Sequence, residues 1–305
     1  MSSEKYSGII PALYACYDEN NEISYEGTKA LTKLFLEKGV KGLYVGGSSS
    51  ECIYLDRKER KRMLEAVMEV ARGKCTIIAH VACNSTKYSQ ELATHAESMG
   101  VDAIAAIPPI YFRLPDHAVA KYWNDISAAA PNTDFIIYNI PQLAGTALTP
   151  SLLKEMIKNP RVIGVKNSSM PVMDILQFKQ ILGEGKVVFN GPDEQLVSGL
   201  AIGADGGIGG TYGAMPELYI EIFNCVKDGY LRRAHEIQSD CLDIINGLTS
   251  CHGSMYAVIK EVIKQRDGLE LGGVRHPMPD IISEDMPKIK KVVELIDKTY
   301  KKWGI

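Results

Sequence analysis

The feature that most limits what this chain can become is a repeat. Eight apolar runs of strand length recur roughly every 25 to 35 residues, and each leads into a segment with apolar residues at helical spacing. The predicted strands are Ile9–Tyr14, Gly42–Val45, Thr76–His80, Ala103–Ile107, Phe135–Tyr138, Val162–Lys166, Val187–Asn190 and Gly206–Gly209. Local punctuation agrees with them. Ser24 can cap a helix whose Leu31, Leu34 and Phe35 share a face, with Gly39 as its left-handed stop. Asp56 and Glu59 have capping-box spacing ahead of Met63, Val67 and Val70, and Gly73 closes that helix. Gly100 ends a third helix, and Thr149-Pro150 sets a cap before proline at the first helical position.

Mostly apolar strands alternating with helices call for a parallel sheet covered by helices, and right-handed crossovers close eight such units into an α/β architecture, the (β/α)8 or TIM barrel. A doubly wound open sheet is the alternative. Beyond Pro216 only helical segments remain, around Leu218–Cys225, Ala234–Ile245, Met255–Ile263 and Met286–Lys301. The expected organisation is a barrel over residues 1–225 with a C-terminal helical cap over 226–305, packed as one structural domain because no Gly/Ser/Pro-rich linker separates them.

Composition removes several function classes. The 305 residues, 46% hydrophobic and 23% charged, suit a chain with one large core. A net charge of -3 without long runs of like charge gives no footprint for a phosphate backbone, so nucleic acid is not an expected partner. The first twenty residues hold no apolar run long enough for a signal peptide or a membrane span; a cytoplasmic chain without a membrane partner is expected. Seven widely spaced cysteines lack any C-x-x-C pair, and six histidines lack H-x-H or H-x-x-x-H spacing. Reduced thiols and no metal or other cofactor are expected.

In a barrel of this kind chemistry collects at the C-terminal ends of the strands. Those ends are polar here. The second strand runs into Gly46-Gly47-Ser48-Ser49-Ser50-Glu51, the fourth into Pro108-Pro109-Ile110-Tyr111, the fifth ends in Tyr138-Asn139, the sixth in Lys166, and the seventh runs into Asn190-Gly191-Pro192-Asp193-Glu194. A lysine closing the apolar run Val162-Ile163-Gly164-Val165 sits partly desolvated, which lowers its ammonium pKa and frees an amine to attack a ketone. The plainer reading is a lysine snorkelling to solvent. Tyr138 ends the adjacent strand, where its phenol can exchange a proton with a group bound at that lysine, or simply pack. The Gly-Ser loop offers N–H groups and hydroxyls to an anion such as a carboxylate, although such loops are more often only turns. Asp193 and Glu194 suit sugar hydroxyls or, more commonly, the start of a helix.

Taken in order with Gly203-Ala204-Asp205-Gly206-Gly207-Ile208-Gly209, these segments resemble the dihydrodipicolinate synthase/N-acetylneuraminate lyase superfamily of class I aldolases, and the resemblance spans nearly the whole chain. The synthase branch carries an arginine two residues after the proline of Tyr-Asn-x-Pro; this chain has Leu143, which cannot pair a carboxylate. The pattern is thus closer to the sialic-acid-cleaving branch. It implies reversible aldol cleavage of N-acetylneuraminate to N-acetylmannosamine and pyruvate, with Lys166 forming the imine and Tyr138 moving the proton. It implies that Ser48 and Ser49 hold the pyruvyl carboxylate, Ser49 joining the catalytic set, and that Tyr111 is lent across a subunit interface of a homotetramer. Ser168, Gly191, Asp193, Glu194 and Gly209 are implied at the substrate. Two positions depart from the pattern: Ser50 stands where the family usually has glycine, and Gly210 where many lyases have serine. Two rivals remain open: a sibling aldolase or dehydratase of a 2-keto-3-deoxy sugar acid, and a non-catalytic barrel that binds a keto acid and regulates a partner.

Overall fold

A computed structural model describes residues 2–305, with side chains from residue 4 onward. Its eight parallel strands are β1 (Gly8–Pro11), β2 (Gly42–Val45), β3 (Thr76–His80), β4 (Ala103–Ala106), β5 (Asp134–Asn139), β6 (Val162–Asn167), β7 (Val187–Asn190) and β8 (Gly206–Gly209). They follow one another in the order β1-β8-β7-β6-β5-β4-β3-β2. The ring closes between β1 and β2, where the Lys41 amide donates to the Ile9 carbonyl and the Leu13 amide to the Tyr44 carbonyl, both at 2.9 Å. The chain is a (β/α)8 barrel, and the open doubly wound sheet is excluded.

All eight expected strands form, and their ends differ where backbone pairing stops. The first ends at Pro11 instead of Tyr14, beyond which only an isolated bridge, Ala12 with Tyr44, continues the ladder. The fourth stops one residue early, at Ala106. The fifth and sixth each run one residue further, to Asn139 and Asn167, which are register partners joined by a 2.8 Å side-chain hydrogen bond. The expected caps are in place. Ser24 accepts from the Gly27 amide, Asp56 and Glu59 make the reciprocal capping box, Gly100 is left-handed, and Thr149 accepts from the Leu152 amide ahead of its proline-led helix.

Two layers of apolar packing hold the barrel. Inside it, Ile10, Tyr44, Ile78, Ile136, Phe189 and Ile208 fill the axis. Outside it, a larger cluster joins the strands to the surrounding helices and continues into the C-terminal helices Leu231–Thr249, Met255–Asp267 and Met286–Trp303 through Ile244, Val258, Ile289 and Val292. Each fully buried aliphatic side chain of this kind contributes roughly 1.5–3 kcal/mol.

One irregularity determines where the chemistry sits. Phe135 of β5 pairs with Val162, but the next residue, Ile136, pairs with Gly164, so Ile163 is an extra residue in β6. Val162 and Val165 both join the outer layer, three positions apart, which strict alternation forbids. The inserted residue resets the phase of the strand and turns Lys166 toward the barrel axis.

Candidate active site

Lys166 is 4% exposed and emerges at the C-terminal end of β6 into a cavity of about 330 Å³ at the barrel mouth. Its Nζ lies 3.9 Å from the ring centroid of Tyr138 and 4.2 Å from that of Tyr44. Both rings are buried, so the ammonium is stripped of water, and burial lowers its pKa to about 7 against the opposing pull of Asp193. An amine of this kind is substantially unprotonated near neutrality and nucleophilic. Tyr138 is raised to about 12, again chiefly by burial, while the hydroxyls of Ser48 and Ser168 hold it down in part. The two strands place these residues directly opposite one another in register.

The Gly46-Gly47-Ser48-Ser49-Ser50 loop forms a short 3-10 turn over Ser48–Ser50, which sets Ser48 and Ser49 at the cavity wall. Ser50 faces away. Its hydroxyl donates to the Leu13 carbonyl at 2.5 Å and accepts from the Gly46 amide at 3.1 Å. No positive φ is needed at Ser50, so its departure from glycine leaves the backbone intact; the left-handed residues of the loop are Gly46 and Glu51.

Asp193 is buried on the opposite wall, where its Oδ2 accepts from both the amide and the hydroxyl of Thr211 at 2.6 Å. Its Oδ1 is buried without a partner. Burial raises the carboxyl to about 7 in spite of the Thr211 bonds. Gly209 leaves space for that carboxylate: a Cβ there would lie 2.0 Å from Oδ1. Ser168, Gly191, Glu194 and Gly210 also line the cavity, with Glu194 exposed at the rim. Leu143 stands at the mouth, 68% exposed.

Tyr111 is not brought to this cavity within the chain. It is 89% exposed at a left-handed position with φ of 84° and rests edge-on against Phe112. Several lining residues lie outside the strand-end shortlist. Tyr256, from the Met255–Asp267 helix, closes over the mouth beside Ser49, and Gln142, Met170 and Thr211 complete the wall. Gln238, also from the C-terminal helices, donates to the Asp193 carbonyl at 3.1 Å and accepts from the Val197 amide at 3.2 Å, fixing the loop that carries the acid. Lys260, one helical turn beyond Tyr256, is 2% exposed and pairs with Glu51 at 3.1 Å. Glu51 also accepts from the Tyr17 hydroxyl at 3.0 Å and the Arg275 amide at 2.6 Å. No local pattern announces these contacts, because their partners are far apart in the chain.

A closed (β/α)8 barrel with a desolvated lysine and a phenol at its mouth defines a class, the barrel enzymes whose amine works on carbonyl carbon. The chain belongs to the dihydrodipicolinate synthetase family, whose model matches residues 5–296. It is 62% identical over 300 residues to an N-acetylneuraminate lyase of Mediterraneibacter gnavus, covering 98% of this chain and 95% of that protein. It is 33% identical to an N-acetylneuraminate lyase of Citrobacter koseri, covering 94% and 96% respectively. The solved structure of wild-type Ruminococcus gnavus sialic acid aldolase superposes with a TM-score of 0.97 at 62% identity, over 98% of this chain and 99% of that one.

Proposed function

We propose that this chain is a class I aldolase that cleaves N-acetylneuraminate reversibly to N-acetylmannosamine and pyruvate. The observation that carries the reading is the Lys166 amine held between two buried tyrosine rings. The 62% identical relative named N-acetylneuraminate lyase supports the choice of substrate.

In this reading the neutral Lys166 amine adds to the ketone carbon of the open-chain keto acid, and the Tyr138 phenol gives its proton to the departing water, leaving a protonated imine beside a phenolate. That phenolate then takes the proton of the C4 hydroxyl as the C3–C4 bond breaks. The bonding electrons flow to the iminium nitrogen, giving an enamine and releasing N-acetylmannosamine as the aldehyde. The Tyr138 phenol returns its proton to C3, and hydrolysis of the imine frees pyruvate, restores the neutral amine and reprotonates the phenolate. Ser48 and Ser49 hold the carboxylate through hydroxyl and amide groups, and Ser168 lines the pyruvyl end. Gly191, Asp193 and Glu194 meet the polyhydroxyl chain, with Gly209 admitting the Asp193 carboxylate.

Leu143 at the mouth gives a second, carboxylate-bearing aldehyde nothing to pair with, which disfavours a synthase reaction. The exposed, left-handed Tyr111 suits a residue lent to a neighbouring subunit of a homotetramer, and we assign the enzyme to the cytoplasm. Residues 226–305 act with the 1–225 barrel as one unit, since Tyr256 and Gln238 complete the site.

Borohydride reduction in the presence of pyruvate, read by peptide mass spectrometry, tests the chemistry and should leave an adduct on Lys166. Pyruvate release from N-acetylneuraminate tests the substrate. Release only from a 2-keto-3-deoxy sugar acid would move the chain to a sibling reaction, and absence of the adduct would overturn the aldolase reading.

A further inference from the structure

Behind the Ser48–Ser49 wall lies a charge that the reaction above does not use. Arg60, from the Arg57–Ala71 helix, is 5% exposed, and no carboxylate pairs with it among the described residues. A buried guanidinium without an anion is costly unless acceptors surround it. Its main acceptors are the carbonyls where β2 and β3 end, with Cys83 Sγ 3.3 Å from Nη1, while Nε is buried without a partner. Nη2 donates to the His80 carbonyl at 2.6 Å and more weakly to the Gly46 carbonyl at 3.4 Å, while Nη1 donates to the Ala82 carbonyl at 2.7 Å.

His80 ties the same point. Its Nδ1 lies 2.9 Å from the Gly46 carbonyl, which can only accept, so Nδ1 carries the proton. The remaining nitrogen, Nε2, faces the Ile107 amide at 3.5 Å as an acceptor. Burial, then the adjacent Arg60, keeps this ring neutral. Its ring also packs at right angles to the Tyr138 ring, with centroids 6.1 Å apart at 85°. The Gly46 carbonyl therefore receives two donors, at the residue whose left-handed turn begins the Ser48–Ser49 loop.

We infer that Arg60, acting through His80 and Gly46, is a positioning residue for the substrate carboxylate: it fixes the Gly46–Ser49 backbone and places an unneutralised positive charge behind it. The inference rests on the aldolase reading, in which that loop holds the carboxylate. Arg60 touches neither the amine nor the phenol, so its removal weakens capture of the keto acid while sparing the chemistry that follows.

The test is borohydride trapping on Lys166 as a function of pyruvate concentration, alongside kcat and KM for N-acetylneuraminate, in wild type, Arg60→Met, Arg60→Lys and His80→Phe. Arg60→Met should raise half-saturation and KM by about tenfold or more, with the trapping rate at saturating pyruvate changed by less than about threefold. Arg60→Lys, which keeps the charge but loses the fork, should recover part of that loss. His80→Phe should shift half-saturation in the same direction, and it carries the test if Arg60→Met does not fold. An unchanged half-saturation in the folded variants, or a loss confined to the trapping rate, overturns the inference. Failure of the wild type to trap pyruvate at all sinks the aldolase reading instead.

Discussion

Tyr138 and Lys166 face one another as register partners on adjacent parallel strands, and the lysine nitrogen stands 3.9 Å from the centre of the tyrosine ring. In the proposed reaction the ring has two parts to play: its face strips water from the amine, and its hydroxyl serves the proton transfer. The two residues should therefore fail differently. Lys166→Ala should cut turnover by at least about 10³-fold with an unchanged circular dichroism spectrum. Tyr138→Phe keeps the apolar face, so it should lower kcat by about 10²- to 10⁴-fold while pyruvate is still trapped on Lys166. Equal losses of trapping and turnover in the phenylalanine variant would contradict the proton-transfer role.

The depressed lysine has a definite pH signature. Below pH 7 the amine is mostly charged and cannot add to a ketone; above it the neutral form dominates, so the trapping rate should rise with a midpoint of about 7. A midpoint near the ordinary lysine value would contradict the desolvation argument. Stability carries the opposite face of the same shift. The penalty for burying the charged form is fully present below pH 7 and vanishes above the unfolded value of 10.5. This group's contribution therefore makes the fold more stable as pH rises between those values, and Lys166→Met should flatten that rise in thermal melts.

Gly209→Ala should strike the sugar end alone. The added Cβ would lie 2.0 Å from the Asp193 Oδ1 and force the carboxylate from its place. KM for N-acetylneuraminate should rise by about tenfold or more, while half-saturation by pyruvate in trapping stays near wild type. Similar increases for both ligands would show that Asp193 does not face the sugar.

The Glu51–Lys260 pair gives a test of how the loop is held. Lys260→Ala leaves a buried carboxylate short of its cation and should cost about 3–5 kcal/mol in denaturant unfolding. Glu51→Gln with Lys260→Met removes both charges, and the double variant should be less destabilised than the sum of the two single changes. Strict additivity would mean that the pair does not interact.

Much of this was readable from the chain alone, for identifiable reasons. Strand and helix periodicities are local, so all eight βα units and their Ser24, Asp56 and Thr149 caps could be placed from neighbouring residues. Lys166 and Tyr138 were legible because a barrel gathers its strand ends at one face. The reason Lys166 points inward was not. Read with strict alternation, Val162 and Val165 would face opposite ways, and only the pairing with β5 reveals Ile163 as the inserted residue. Tyr256, Gln238 and Arg60 are not legible in the sequence because each stands within an ordinary helix, and only the fold brings it to a strand end. Ser50 and Glu51 belonged to a visible motif, but their partners Leu13 and Lys260 are 37 and 209 positions away.

The clasp between Glu51 and Lys260 also bears on how the protein comes to life during translation. Lys166 leaves the ribosome well before the helix that carries Tyr256 and Lys260, and β1 waits for β8 before the cylinder can seal. A growing chain thus carries Lys166 for much of synthesis without a finished chamber, whose wall is complete only when the final helices dock.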